Sequence, residues 1–289
     1  MINASGEINA LLNLIEDPDE EIFKSITQRF VGFGTAVIPY LEEFKEGNED
    51  EDQLQKIDQI ISAISLTTLS TSIQQWKTED QQDILEASTL LSTYINKEFN
   101  REEYLFEIEK LRKSIWLELN DYLTPLEEIN VINKILFGYY QYKGLETNYT
   151  NEKQFDISHL LQEKKANTFA LGALYLTMTQ MLGISVKPVN IPKQNLLGYI
   201  EDPSPFGNDE VEQVLFFIDP FNGQIFTHRD IEIYLKKINS SRSTQSIEGT
   251  AMDAYIQQWL IELARCEKEK GNTTIHKQLT EIALILDKD

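Results

Sequence analysis

Apolar residues recur at three- and four-residue spacing along most of the chain, which predicts helices; only residues 185–226 change to short alternating runs. Ile8, Leu11, Leu12 and Ile15 form a first stripe that stops at Asp17-Pro18-Asp19. Ile22, Ile26, Phe30 and Phe33 form a second, and Ala36, Val37, Pro39 and Leu41 begin a third after Gly32 and Gly34. Beyond the charged turn 47–52 come Leu54, Ile57, Ile60, Ile61 and Ile64, then Leu69, Ile73 and Trp76. Two further stripes run from Ile84 to Ile95 and from Tyr104 to Leu117. Thr124 as N-cap and Pro125 at the first helical position then open a helix carrying Ile129, Ile132 and Ile135. The longest apolar helix begins at Asn167-Thr168 and ends before Gly183. Strands are expected at 185–189, 195–200 and 211–218. A turn-rich loop at 201–207 and an Asn222-Gly223 hairpin turn leading into 224–226 complete this part. Residues 239–250 read as a Ser/Thr-rich linker, followed by helices 251–270 and 273–286 split at Gly271-Asn272. The pattern predicts a predominantly helical α+β fold, with one central helix on a small antiparallel sheet. The expected divisions are 1–81, 82–238 and 239–289, the last a linker with a short C-terminal helical pair.

Composition narrows the function. Hydrophobic residues make up 41% of 289, enough for a packed core. A formal net charge of −21 argues against nucleic acid and against anionic membrane surfaces, and suits a basic partner. A single cysteine excludes an internal disulfide, no apolar run would span a bilayer, and the first residues lack a basic leader; a soluble cytoplasmic protein is expected. The turn 47–52 lacks the spaced ligands and glycine of a calcium loop and reads as solvated. No phosphate loop, dinucleotide fingerprint or zinc spacing occurs, so no cofactor and no metal site is expected.

Two resemblances follow from particular stretches. The helix, Asp-Pro-Asp corner, helix and Ala-Val-Ile-Pro-Tyr-Leu succession of 8–41 resembles a HEAT-type helical repeat, with a second unit over 54–76. INVINKILFGYYQYKG (129–144), EKKANTFALGALYLTMTQMLGISVKPV (163–189), IPKQNLLGY (191–199) and FFIDPFNGQIF (216–226) together resemble the bacterial SirB-type proteins. That family has a transglutaminase-like (papain-like) core and a tetratricopeptide-like tail, which is shortened in this chain. Active transglutaminase-like enzymes carry a Cys at the start of the central helix, a His on the next strand and an Asp on the one after. The resemblance puts Thr168, Gln194 and Asp219 at those positions.

A thiolate held by a helix dipole and an imidazole is the nucleophile of such a site, and the carboxylate fixes the imidazole tautomer. A Thr hydroxyl is far less acidic, and a dipole contribution of about 0.3–2 kcal/mol does not ionise it. An amide such as Gln194 accepts no proton. A degenerate site is therefore expected, with no catalytic residue; Asp219 then serves its Asp-Pro turn, and Asn167 and Thr168 remain as cap candidates. Asn167, His159, Tyr139 and Tyr140 are candidate pocket-lining residues, set against a plain capping role for His159 and loop packing for the tyrosines. Cys266 shares an apolar face with Trp259 and Leu263 and reads as a buried hydrophobe, and His228 as locally paired. The expectation is a non-enzymatic binding, scaffold or regulatory protein with a protein partner. The alternatives are a hydrolase or acyl transferase using Thr168, for example with His159, and a small-molecule sensor using the vestigial pocket.

Overall fold

The computed structural model describes residues 2–79, 82–201, 213–240, 244 and 247–287, with side chains from residue 6 onward. The chain forms two compact units, Met1–Gln75 and Trp76–Asp289. The expected boundary at 81/82 touches residues 80–81, and most of the loop 201–207, with Val211, also lies outside the described residues.

The first unit contains α1 (Ile2–Asn13), α2 (Glu20–Phe33), α3 (Ile38–Glu46) and most of α4 (Glu51–Lys77). Asp19 stops the preceding turn and caps α2, its Oδ1 accepting from the Glu21 N–H at 2.8 Å. Lys56 Nζ donates to the carbonyls of Ile15 and Asp17 at 3.0 and 3.1 Å, tying the short turn after α1 to α4. Ile15, Ile26, Phe30, Leu41, Ile57 and Ile60 form its core. The expected second repeat unit is corrected: its two stripes belong to one 27-residue helix. No Gly or Pro interrupts residues 65–69, and the Thr68 hydroxyl bonds back to the Ile64 carbonyl at 2.9 Å, so nothing breaks the ladder.

The second unit runs α5 (Ile84–Ile95), α6 (Arg101–Trp116), α7 (Pro125–Asn133), β1 (Lys143–Gly144), α8 (Ile157–Glu163), β2 (Lys165–Ala166) and α9 (Thr168–Leu182). Then follow β3 (Val186–Ile191), β4 (Gln194–Glu201), β5 (Gln213–Asp219), β6 (Gln224–Phe226), α10 (His228–Lys237), α11 (Met252–Glu269) and α12 (Thr273–Ile285). A π-helical turn, Lys134–Tyr139, extends α7. The sheet is antiparallel in the order β3-β4-β5-β6, and β1 pairs with β2 in parallel. The fold is α+β and mostly helical.

α9 is buried all round from Ala170 to Thr179, which is why its sequence is apolar on every face rather than amphipathic. It packs against α5, α6 and α8, and against the sheet. α10 covers the opposite sheet face, where Leu196, Ile200, Val214 and Phe217 meet Ile231 and Leu235. The expected linker has a structural role. Gly249 bridges to Val189, the Thr250 N–H bonds the Pro188 carbonyl at 2.8 Å, and Ile247 joins the α10-side core, so the outer edge of β3 is covered. The helical pair is likewise part of the second unit rather than a separate body: Tyr255 Oη donates to the Phe169 carbonyl at 2.7 Å.

Candidate functional site

The start of α9 is built from β2, the turn 152–155 and β4. Asn167 is fully buried and is the N-cap; its Oδ1 accepts from the Phe169 and Ala170 N–H groups at 3.0 and 3.1 Å. Its own N–H donates to the Gln154 carbonyl at 3.0 Å, which fixes where the helix begins. Thr168 is therefore the first helical residue and not the cap. It is half-buried, and its hydroxyl makes no hydrogen bond among the described residues. Asn167 Nδ2 and Trp259 Nε1 are buried donors with no partner among the described residues. Phe169 lies between Phe155 and Tyr255, with ring centroids 6.5 and 6.2 Å away, and Tyr255 meets Trp259 at 6.3 Å. The tail helix α11 thus closes the region around the helix tip with aromatic rings.

The strand residue aimed at this tip is Asn195, and the expectation for Gln194 is corrected. Asn195 Nδ2 donates to the Thr168 carbonyl at 3.3 Å. Gln194 points to the other sheet face, where its Nε2 donates to Tyr234 Oη of α10 at 3.2 Å. The cause is the tight Pro192-Lys193 turn: Lys193 takes a left-handed φ of 62°, Ile191 pairs with Gln194, and alternation from there fixes both faces. Gln194, Leu196, Gln224, Phe226, Ile231 and Tyr234 line a groove of about 400 Å³ on that α10 face.

Asp219 ends β5, two residues after the α10-facing Phe217. Its Oδ1 accepts from the Phe221 N–H at 2.9 Å, and its carbonyl accepts from the Gly223 N–H at 2.8 Å. Burial holds its carboxyl above the usual carboxylate range, and the Phe221 N–H partly offsets this. No hydrogen bond joins any two of Thr168, Gln194 and Asp219.

The remaining candidates stand apart. His159 sits in the first turn of α8, where its N–H bonds buried Asp156 at 3.3 Å; its ring makes no hydrogen bond among the described residues. Tyr139 is 76% exposed, while Tyr140 stacks on Tyr142 at 6.1 Å and bonds Ser114 Oγ at 3.0 Å. Lys164 Nζ lies 5.7 and 4.8 Å from those two ring centroids, so the tyrosines pack a loop and its cation. His228 Nε2 bonds the Val214 carbonyl at 2.6 Å, and His276 Nδ1 bonds the Ala264 carbonyl at 2.9 Å. Cys266 is fully buried, and burial pushes its thiol up to about 11. Among the described residues no group of three His, Cys, Asp or Glu side chains could hold a metal, and no helix is long and apolar enough to cross a membrane.

The motif residues that remain are architectural. Asn133 Nδ2 donates to the Gly223 carbonyl at 2.7 Å, and its Oδ1 accepts from Tyr175 Oη at 3.1 Å. Gly223 has a φ of +76°, and a Cβ there would lie 2.7 Å from Asn133 Oδ1. A Cβ on Gly144 would lie 2.3 Å from the Phe221 ring. The Asp-Pro-Phe-Asn-Gly turn is thus clamped onto α7 and β1.

A family pattern described as the transglutaminase-like superfamily matches residues 102–259, more than half of the chain. The chain belongs to the transglutaminase-like superfamily. It is similar to a UPF0162 protein of Vibrio cholerae, 22% identical over 208 residues, covering 71% of this chain and 74% of that protein. Protein SirB1 of Salmonella typhimurium is 22% identical over 147 residues, 51% of each chain. F-box only protein 21 of Mus musculus is 26% identical over 105 residues, 36% of this chain and 16% of that protein. The matched region thus spans about three quarters of the Vibrio relative and half of the Salmonella one. No solved structure matches the chain. The matched region includes α9 and the antiparallel sheet it packs against.

Proposed function

We propose that this transglutaminase-like protein is a non-enzymatic binding protein, a pseudoenzyme whose core serves as a scaffold. The observation that carries the reading is the arrangement around the α9 tip. Among the described residues no basic side chain bonds the Thr168 hydroxyl, the strand residue facing it is the amide Asn195, and Asp219 is engaged with its own turn. A hydroxyl without a general base is a poor nucleophile, and neither amide accepts a proton. The single thiol is buried and protonated at neutral pH, which removes the substitute nucleophile. The test is hydrolysis and acyl transfer by purified protein on amide, ester and glutaminyl-peptide substrates. No turnover is expected; turnover that disappears in Thr168→Ala would overturn the proposal in favour of a hydrolase or acyl transferase.

The groove beside Gln194 supports a second reading, a small-molecule sensor, because about 400 Å³ with two side-chain amides and a phenol suits a compact polar ligand. Thermal-shift hits that vanish in Gln194→Trp would favour it.

A further inference from the structure

The first unit carries a separate feature. Leu11, Leu14, Ile22 and Ile26 line a groove of about 420 Å³ formed by α1, the turn after it and α2, together with the exposed polar residues Ser25, Asp19 and Glu21. Leu14 is 47% exposed, a large aliphatic side chain left in water. Charge around it is one-sided: residues 1–75 hold 14 acidic and four basic side chains. Arg29, Lys45 and Lys56 are paired with Glu7, Asp58 and Asp52, while Asp19 and Glu21 have no cationic partner among the described residues. From this geometry we propose that the groove docks a cationic amphipathic segment, its apolar side chains seated on Leu11, Leu14 and Ile22 and its Lys or Arg residues on Asp19 and Glu21.

Charge selects this occupant. A second copy of the chain would bring the same negative field, and nucleic acid or an anionic bilayer would be repelled. A lysine-bearing amphipathic helix matches the apolar and the acidic lining together, the helix-in-groove mode of recognition. The proposal rests on the binding-protein reading and supplies the chemistry of one partner.

The experiment is fluorescence anisotropy of a labelled amphipathic Leu/Lys helical peptide with the full chain. Two control peptides have Leu replaced by Ala, or Lys replaced by Glu. The Leu/Lys peptide is expected to bind, both controls to bind at least about tenfold more weakly, and Leu14→Gln and Glu21→Lys each to weaken it by about tenfold. Glu103→Lys, the same charge change on α6, is expected to leave affinity unchanged, and circular dichroism checks that each variant is folded. Equal binding of the Leu-to-Ala peptide, or equal loss in Glu103→Lys, would reduce the effect to general attraction between opposite charges and overturn the site. Self-association abolished by Leu14→Gln would overturn it in favour of a second copy. Failure here with no turnover in the substrate assays removes only the groove, whereas turnover lost in Thr168→Ala removes the binding-protein reading itself.

Discussion

At the scale of single residues, Asn167 and Asp219 hold local backbone and the protein's stability reads their loss. Asn167→Ala removes the acceptor of two N–H groups at a buried helix start and is expected to cost about 1 kcal/mol or more in urea denaturation. Thr168→Ala removes a hydroxyl with no partner among the described residues and is expected to be nearly neutral in the same measurement. Asp219 has the opposite sign from a usual carboxylate. Because burial raises its pKa in the folded state, its protonated form is favoured there. Its contribution is fully present below the unfolded carboxyl pKa and is lost as pH rises through the raised folded value. Asp219→Asn keeps the acceptor for the Phe221 N–H and removes the ionisation, so stability at neutral pH should be equal or higher. Asp219→Ala should lose about 1 kcal/mol with the turn bond. A large loss in Asp219→Asn, seen by the same urea titration, would contradict this. Cys266 is checked by thiol titration: no reaction in the native protein at mildly alkaline pH and one thiol released in urea.

Among the elements, α9 and α11 approach closely at one point. A Cβ on Gly172 would lie 2.4 Å from Tyr255 Oη, which is itself held by the Phe169 carbonyl. Gly172→Ala is expected to destabilise by about 1–3 kcal/mol, and Tyr255→Phe, which removes the oxygen, should recover part of that in the double variant. Additive losses would show that the two side chains do not meet. This level also explains what the sequence made legible. α5, α6, α9 and β3 to β6 follow from apolar period, caps and turn residues, because those signals are local. The orientation of Gln194 does not, because it depends on the single residue Lys193 adopting a left-handed turn, and one residue more or less exchanges the faces. The role of residues 247–250 is equally hidden in the sequence: a Ser/Thr-rich stretch carries no period, and its bonds to β3 join residues about sixty positions apart. The continuity of α4 is not legible either, because a polar interval of Ser and Thr resembles a break, whereas only Gly or Pro enforces one.

For the molecule as a whole, a charge of −21 sets a self-repulsion that the fold must overcome. Raising ionic strength from about 0.05 to about 0.5 M shortens the screening length and should raise the melting temperature, followed by circular dichroism. Absence of any rise would mean that the acidic groups are already compensated. The ion cluster of Lys270 with Glu152 and Glu267 works against that simple trend, since screening weakens it as well. The covering of the α9 tip by Tyr255 and Trp259 has a temporal side too. During synthesis the apolar helix 168–182 is made some eighty residues before α11, and domains settle as units as the chain emerges. Until residues 252–269 leave the ribosome, Phe169 has no tyrosine against it and the Gly172 notch stands open. The nascent chain therefore passes through a stage in which the tip of its most hydrophobic helix lacks its aromatic cover.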